Sequence, residues 1–314
     1  MEGRDELWAI TSYFNPIGFA RRLANYRIFR EHLRVPLVTV ELARSPDRLQ
    51  LRPGDADILI QLVGDDLLWQ KERLLNIALQ SVPATCRKIA WPDCDVVFER
   101  HDWGHLASAA LDRFPMVQAF TAFSDLGPGA QFRNGDGPTE VLGGGESLAY
   151  RLNLGATVDE LFRPHQGHRL KRGRALGMAW AARRDLVERH GLYDACILGS
   201  ADKAMVLAAL GRFELVESLE LNARQMAHYL AWAKPFFDDV RAAIGHVDGR
   251  VYHLWHGDLE NRKHRLRLVH FAPFEFDPFR DLVRDTSDCW RWRTERPEVR
   301  AYLQQYFESR REDG

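Results

Sequence analysis

The chain predicts an α/β fold around a largely parallel central sheet, and three observations carry that expectation. Short apolar runs alternate with segments of helical period from Leu7 to Phe120 instead of clustering by type, the order that winds a parallel sheet with helices on its faces. One run, DILIQLVG (57–64), is apolar almost throughout, as a strand covered on both faces must be. Another, KIAW (88–91), runs straight into Pro92, Asp93 and Asp95, and the carboxyl ends of such strands are where these sheets bind ligands.

Each element has a local reason. LWAITSY (7–13) is the first strand. NPIGFARRLANYRIFREHL (15–33) follows as a helix, with Phe19, Leu23, Tyr26 and Phe29 at three- and four-residue steps and Pro16 suited to a helix start. PLVTVEL (36–42) and DILIQLVG are the second and third strands, LLWQKERLLNIALQSV (67–82) returns to helical period, and KIAW is the fourth strand. HLASAALDRF (105–114) reads as a helix and MVQAF (116–120) as a strand. From Ser124 to Arg174 the pattern dissolves into glycine and charge, through DLGPGAQFRNGDGP, VLGGGES and RPHQGHRLKRGR. So long an irregular stretch predicts a flexible functional loop, a lid or a disordered segment. Order resumes with a helix over 183–190 closed by Gly191, and a helix through ADKAMVLAALGRF that Ser200 can cap. QMAHYLAWAKPFFDDVRAAIG is helical with a break expected at Pro235, and RVYHLWHG is a strand ending in His256. An irregular segment rich in arginine and aromatics precedes a terminal helix, PEVRAYLQQYFESRRE. The expected organisation is one main domain over 1–258 and a C-terminal extension, 259–314, packed on it.

Composition narrows the class. The 314 residues are ample for a substantial core, and 46% hydrophobic with 28% charged residues is ordinary for a soluble globular protein. Lys+Arg of 43 against Asp+Glu of 44 leaves a formal charge of -1, which gives no global pull toward nucleic acid or an anionic membrane. Cys86, Cys94, Cys196 and Cys289 lack CxxC spacing, so neither a zinc cage nor a disulfide framework is indicated. MEGRDELWAIT has no signal-peptide pattern, and no apolar run approaches the ~20 residues that span a bilayer. A cytoplasmic location with no membrane partner is the expectation.

Asp93 and Asp95 carry the chemistry. On an extended chain they point to one side while Cys94 faces away. Two carboxylates so close repel unless a cation lies against them, and a hard divalent ion shared with substrate phosphates is the usual solution. The plainer reading, a turn that holds two aspartates by chance, stays open on these residues alone.

WPDCDVVF, then GMAWAARRDL…GLYDACILGSADKAM, then YHLWHGDLENR resemble, in that order and over roughly residues 7–265, a GT-A glycosyltransferase of galactosyltransferase-like or family 2-like type. The resemblance implies the GT-A layered fold, with its mostly parallel sheet and here a C-terminal helical extension. It implies a hexosyltransferase that draws on a nucleotide-sugar donor, a UDP- or GDP-sugar, with Mn²⁺ or Mg²⁺ as cofactor. The D-x-D would bind metal and donor diphosphate through Asp93 and Asp95, and the family's late histidine ligand matches His256, in His256-Gly257-Asp258 with Asn261 beyond, better than His253. Imidazole suits Mn²⁺ better than Mg²⁺.

By the same resemblance, the first nucleotide-contacting loop is Thr11-Ser12-Tyr13-Phe14-Asn15. Lys71 and Asn76, in Lys71-Glu72-Arg73-Leu74-Leu75-Asn76, match a helix motif whose basic residue meets the nucleotide. Trp180 lies in a segment similar to the family's G-G-x-x-x-x-x-R. Leu198-Gly199-Ser200-Ala201-Asp202 is similar to W-G-G-E-D, with Ala201 in place of the Glu, and leaves Asp202 as the base of an inverting transfer. Plainer readings stand beside these: Lys71 on a solvated helix face, Tyr13 in the core, Asp202 stabilised by a helix dipole, and a late histidine that is merely buried.

Gly143-Gly144-Gly145 would belong to the lid, the basic run His165–Arg174 is a phosphate candidate, and Trp290-Arg291-Trp292 is either a sugar platform or a pin for the C-terminal segment. The acceptor is left open among carbohydrate, peptide, small molecule and nucleobase, since a local basic groove would suffice for a nucleic acid. Two other functions remain in view. A nucleotidyltransferase of the same superfamily normally carries a glycine-rich, Arg/Lys-bearing loop after its first strand, where this chain has SYFNPIG. A non-catalytic nucleotide-sugar-binding protein is kept open by the missing Glu.

Overall fold

The computed structural model describes residues 7–132, 137–163, 174–263 and 266–314, without the side chain of Leu259. The chain opens with β1 (Leu7–Phe14), α1 (Ala20–His32), β2 (Leu37–Ala43), β3 (Ile58–Val63), α2 (Lys71–Gln80) and β4 (Lys88–Pro92). Then come β5 (Val96–Phe98), α3 (Trp103–Leu111), β6 (Met116–Gln118), β7 (Ala122–Leu126), β8 (Val141–Ser147), α4 (Leu148–Asn153) and α5 (Val158–Phe162). Next are β9 (Arg174–Ala175), β10 (Ala179–Arg183), α6 (Arg184–His190), α7 (Ala201–Ala209), α8 (Ala223–Val240), β11 (Ile244–His246) and β12 (Arg250–His253). The chain closes with α9 (Leu266–Phe271), α10 (Pro278–Asp281), β13 (Leu282–Arg284), β14 (Trp290–Trp292) and α11 (Pro297–Ser309).

The central sheet has the order β11-β6-β10-β4-β1-β2-β3. Every neighbouring pair is parallel except those of β10, which runs antiparallel to β4 and β6. This is the mostly parallel α/β sheet that the sequence predicts. Alternation along the strands sorts side chains onto two faces. Ile10, Val38, Ile89 and Ala182 join α2 residues Leu74, Leu75 and Ala78 in one core. Their neighbours Ala9, Leu37, Ala90 and Ala181 join Tyr26 and Phe29 of α1 and Trp103, Ala107 and Leu111 of α3 in the other. The C-terminal segment contributes Phe271, Phe276, Trp292, Leu303 and Phe307 to the α2-side core, so buried Trp292 acts as the pin and not as a sugar platform. Among the described residues, no helix is long and apolar enough to cross a membrane.

Several expectations are corrected. The strand read as covered on both faces, β3, is the sheet's edge and is half-exposed, whereas β2 and β4 are buried along their whole length. α8 continues unbroken through Pro235, because Ala231 and Pro235 both lie on its exposed side and the lost hydrogen bond falls toward solvent. β12 ends at His253, three residues before the expected end at His256.

The largest correction concerns the stretch expected to be a flexible loop over 124–174. Its described part is largely ordered as β7, β8, α4, α5 and β9, within a second sheet of order β5-β12-β7-β8-β9. β8, which its glycines hid, pairs with β7 in the register Phe123↔Gly145, Ser124↔Gly144 and Asp125↔Gly143. A Cβ on Gly144 would lie 2.2 Å from the carbonyl oxygen of Phe123. The run His165–Arg174, apart from Arg174, lies outside the described residues.

This pairing is testable. Gly144→Ala is expected to cost about 1–3 kcal/mol, as overpacking does. Gly143→Ala, which meets nothing within 4 Å, should stay within about 0.5 kcal/mol of the parent in urea unfolding. Equal stability of the two variants would contradict the β7–β8 register.

Candidate functional site

The site grows from the carboxyl end of β4. The Asp93 amide donates to the Met178 carbonyl at 2.7 Å, and the Val96 amide donates back to the Asp93 carbonyl at 3.3 Å. Residues 93–95 therefore form a turn and not an extended chain, and the two carboxylates part company instead of pointing together. Asp93 goes to α2 and Asp95 to the second sheet.

On the first side, Lys71 begins α2 and sets its ammonium 2.5 Å from Asp93 Oδ1 and 3.4 Å from Asp202 Oδ2. Asp202 enters through Gly199 (φ +82°) and Ser200 (φ +79°), two left-handed residues that turn the chain into α7. Gly177 leaves its carboxylate just enough space, since a Cβ there would lie 2.6 Å from Asp202 Oδ2. Burial works against the charge of Lys71, but Asp202 and Asp93 outweigh it and hold the ammonium well above its ordinary value. Burial raises the Asp202 carboxyl; Lys71 opposes that rise and Asp93 adds to it. One ammonium shared by two carboxylates keeps its own charge without fully compensating theirs. The 29% of the Asp202 side chain left exposed moderates the effect. Next to Lys71, burial lifts Glu72 to about 8, with Lys71 opposing and Asp202 assisting.

On the second side, β5 starts at Val96 and pairs antiparallel with β12, so that His253 lies opposite Val96. The Leu254 amide donates to the Asp95 carbonyl at 2.8 Å. His256 Nε2 then lies 3.1 Å from Asp95 Oδ2 and His253 Nε2 lies 3.9 Å from Asp95 Oδ1. The parallel pairing of β12 with β7 places His253 beside Asp125, with Nδ1 2.9 Å from its carboxylate. A cation already lies against the group, because Arg262 donates to His256 Nε2 at 2.7 Å. A guanidinium only donates, so His256 is neutral with its proton on Nδ1. Burial first, then Arg262, drives its pKa well below the ordinary value.

Asp95, His253 and His256 can each turn one ligand atom to a point, those atoms lying within 4.8 Å of one another. Two features of the chain fit a metal ion there. Asp95 Oδ1 is buried without a hydrogen-bond partner, a costly state for a carboxylate oxygen that an ion would relieve. And Asp125 on the far nitrogen of His253 is the outer carboxylate that orients metal-binding histidines. The set expected from the sequence is Asp93, Asp95 and His256; in the structure Asp93 pairs with Lys71, and His253 lies with His256 and Asp95.

Five of the other six expected donor residues make contacts within the fold. Thr11 is buried and donates to the Pro92 carbonyl at 2.9 Å, tying β1 to β4. Ser12 is half-buried between Thr11 and Tyr13. Tyr13 is core, edge-on to Tyr26, with its hydroxyl on Gln50. Asn15 closes its own turn onto Phe19. Asn76 both donates to the Leu192 carbonyl and accepts from its amide, and Trp180 is buried with its indole N–H on Leu176. Of the donor set, Lys71 and Asp93 lie together, with Asp202 on the same ammonium. Asp125 escaped the sequence reading because it lies in the stretch taken as irregular, although its strand neighbours Phe123 and Leu126 are apolar.

No protein-family model matches the chain, and no curated protein matches it. Among solved structures, it is similar to glucosyl-3-phosphoglycerate synthase of M. tuberculosis, with 11% identity, 87% of this chain and 79% of that one covered, and a TM-score of 0.40. It is also similar to S. aureus TarS, with 10% identity, 97% and 70% covered, and a TM-score of 0.36. A further likeness is to 4-diphosphocytidyl-2C-methyl-D-erythritol synthase of Anaerococcus prevotii, with 10% identity, 78% and 87% covered, and a TM-score of 0.34. Likeness this remote assigns no chemistry to the chain; the residues of the site have to carry it.

The charge arrangement makes a pH prediction. Glu72 holds its proton in the folded chain up to about 8 but gives it up near 4.5 when unfolded. The native state therefore binds the extra proton between those values, and stability falls as pH rises through that window. Glu72→Gln should flatten the fall of melting temperature from pH 5 to pH 8; an unchanged slope would show that Glu72 does not set it.

Proposed function

We propose that the chain is a metal-dependent glycosyltransferase, which moves a sugar from a UDP- or GDP-sugar to an acceptor hydroxyl with inversion. The observation that carries the reading is the convergence of Asp95, His253 and His256 at the end of the same strand whose other aspartate meets Lys71 and, through it, Asp202. A sheet of this order with one antiparallel strand suits the GT-A fold that the motifs resemble. Asp95, His253 and His256 would hold the ion once Arg262 releases His256 Nε2, and two imidazoles beside one carboxylate favour Mn²⁺ over Mg²⁺. When bound, the ion supplies positive charge to the donor's diphosphate.

The chain's own groups do the rest. Asp125 keeps His253 in one tautomer and orientation. Arg262, buried beside His256, adds positive charge where a diphosphate leaves. As the bond from the anomeric carbon to the diphosphate oxygen breaks, its electron pair stays with the diphosphate. The acceptor oxygen forms the new bond to that carbon and gives its proton to the Asp202 carboxylate. The raised pKa of Asp202 strengthens it as a base, and Lys71, its ion-pair partner, keeps it ionised and oriented until then.

Two measurements test this. Thermal stabilisation by UDP- and GDP-sugars should require Mn²⁺, and Asp95→Ala should abolish both metal and donor binding while Asp93→Ala retains the metal. A panel of donors none of which shifts the melting temperature would count against the reading. Asp202→Asn should leave donor and metal binding intact and cut turnover by about 10²–10⁴, the usual contribution of a general base. Sugar release from the donor in the presence of Mn²⁺, lost in EDTA, distinguishes the enzyme from a binding protein, and full activity of Asp202→Asn would remove that residue from the mechanism.

A further inference from the structure

His256 lies outside regular structure, on the loop between β12 and a short 3-10 turn at 259–262, and something must hold it. Gly257 has φ +86°, and a Cβ built on it would lie 2.8 Å from the carbonyl oxygen of Arg311 and 3.0 Å from that of Arg310. The segment after α11 is therefore keyed against the His256 loop at a position no side chain fits. That segment is anchored by Glu312, only 1% exposed, whose carboxylate takes hydrogen bonds from Arg22 of α1 and from Arg310. Burial would raise the Glu312 carboxyl, yet Arg22 and Arg310 bring it down to about 2. Asp313 accepts from the first two amides of α1, Ala20 at 3.1 Å and Arg21 at 2.8 Å. α1 grips the same loop from its other side: Asn25 donates to the Trp255 carbonyl at 2.9 Å, and Arg21 stacks over the Trp255 ring.

We infer that Glu312 is a positioning residue for the Asp95–His253–His256 group: through Arg22 and Arg310 it presses the carbonyls of residues 310 and 311 against Gly257 and so fixes the loop that presents His256. The inference rests on the metal reading of that group, and it adds that metal affinity is set partly by a carboxylate that does not touch the ion. A buried carboxylate between two guanidiniums adds little stability over apolar packing, and here it holds the backbone that abuts Gly257.

The test is Mn²⁺ titration of the full chain, followed by EPR, for wild type, Glu312→Gln and Asp313→Ala, with melting temperatures measured alongside. Thr157→Ala, which removes the capping box of α5, controls for destabilisation elsewhere. The Mn²⁺ Kd should rise about tenfold in Glu312→Gln, the size at which outer-shell partners act, with a smaller rise in Asp313→Ala and recovery in Glu312→Asp. Thr157→Ala should lower the melting temperature and leave the Kd unchanged. A Kd within about twofold of wild type in folded Glu312→Gln overturns the inference, since outer-shell effects are larger than that, and so does an equal weakening in Thr157→Ala. If Glu312→Gln does not fold, a Kd unchanged in Asp313→Ala overturns it and a raised one supports it. Wild type that binds no Mn²⁺ overturns the metal reading itself, and this inference with it.

Discussion

Two carboxylates one residue apart need separate counter-charges, and the architecture around β4 follows from that requirement. Left on an extended strand, Asp93 and Asp95 would face the same space and repel. The turn over 93–95 divides them, giving Asp93 the Lys71 ammonium at 2.5 Å and Asp95 a polar wall of His253, His256 and, behind it, Arg262. One short turn thereby creates two sites with different chemistry. Beside Lys71 lies a carboxylate, Asp202, whose proton affinity is raised; beside the histidines lies a carboxylate oxygen that the fold leaves unsatisfied.

The second sheet and the C-terminal segment exist, in physical terms, to keep those two halves in register. β5 leaves the turn directly and pairs with β12, which pairs with β7, so Asp95, His253 and Asp125 are placed by backbone ladders and not by side-chain choice. Beyond the ladder, the buried arginines take over. Arg267 donates to Ser200 at the head of α7 and to Tyr306 of α11, and Arg310 stacks over Tyr306 and Trp69. A chain of guanidinium contacts thus runs from the histidine loop to the start of the helix that carries Asp202.

Much of this was legible in the chain. Alternating apolar runs and helical periods showed the parallel sheet, and a D-x-D at the end of a strand marked the place of the candidate site. What misled was local. Tyr13, Asn15 and Trp180 look like ligands for a nucleotide in one dimension, but each spends its polar group inside the fold. The glycines of β8 resemble a lid until β7 is set beside them and the missing side chain of Gly144 becomes the space the Phe123 carbonyl occupies.

By itself the sequence determined the alternation of elements from β1 to β4, the mostly parallel sheet and the positions of Asp93, Asp95, Lys71 and Asp202, because periodicity and strand ends are properties of neighbouring residues. Only the tertiary structure decided which aspartate meets a lysine and which meets two histidines. It also brought Asp125 and Glu312 to the same locality. Those choices depend on a reverse turn, on strand register and on a buried ion cluster between residues 290 positions apart. Contacts of that range are set by packing, and no short window of sequence contains them.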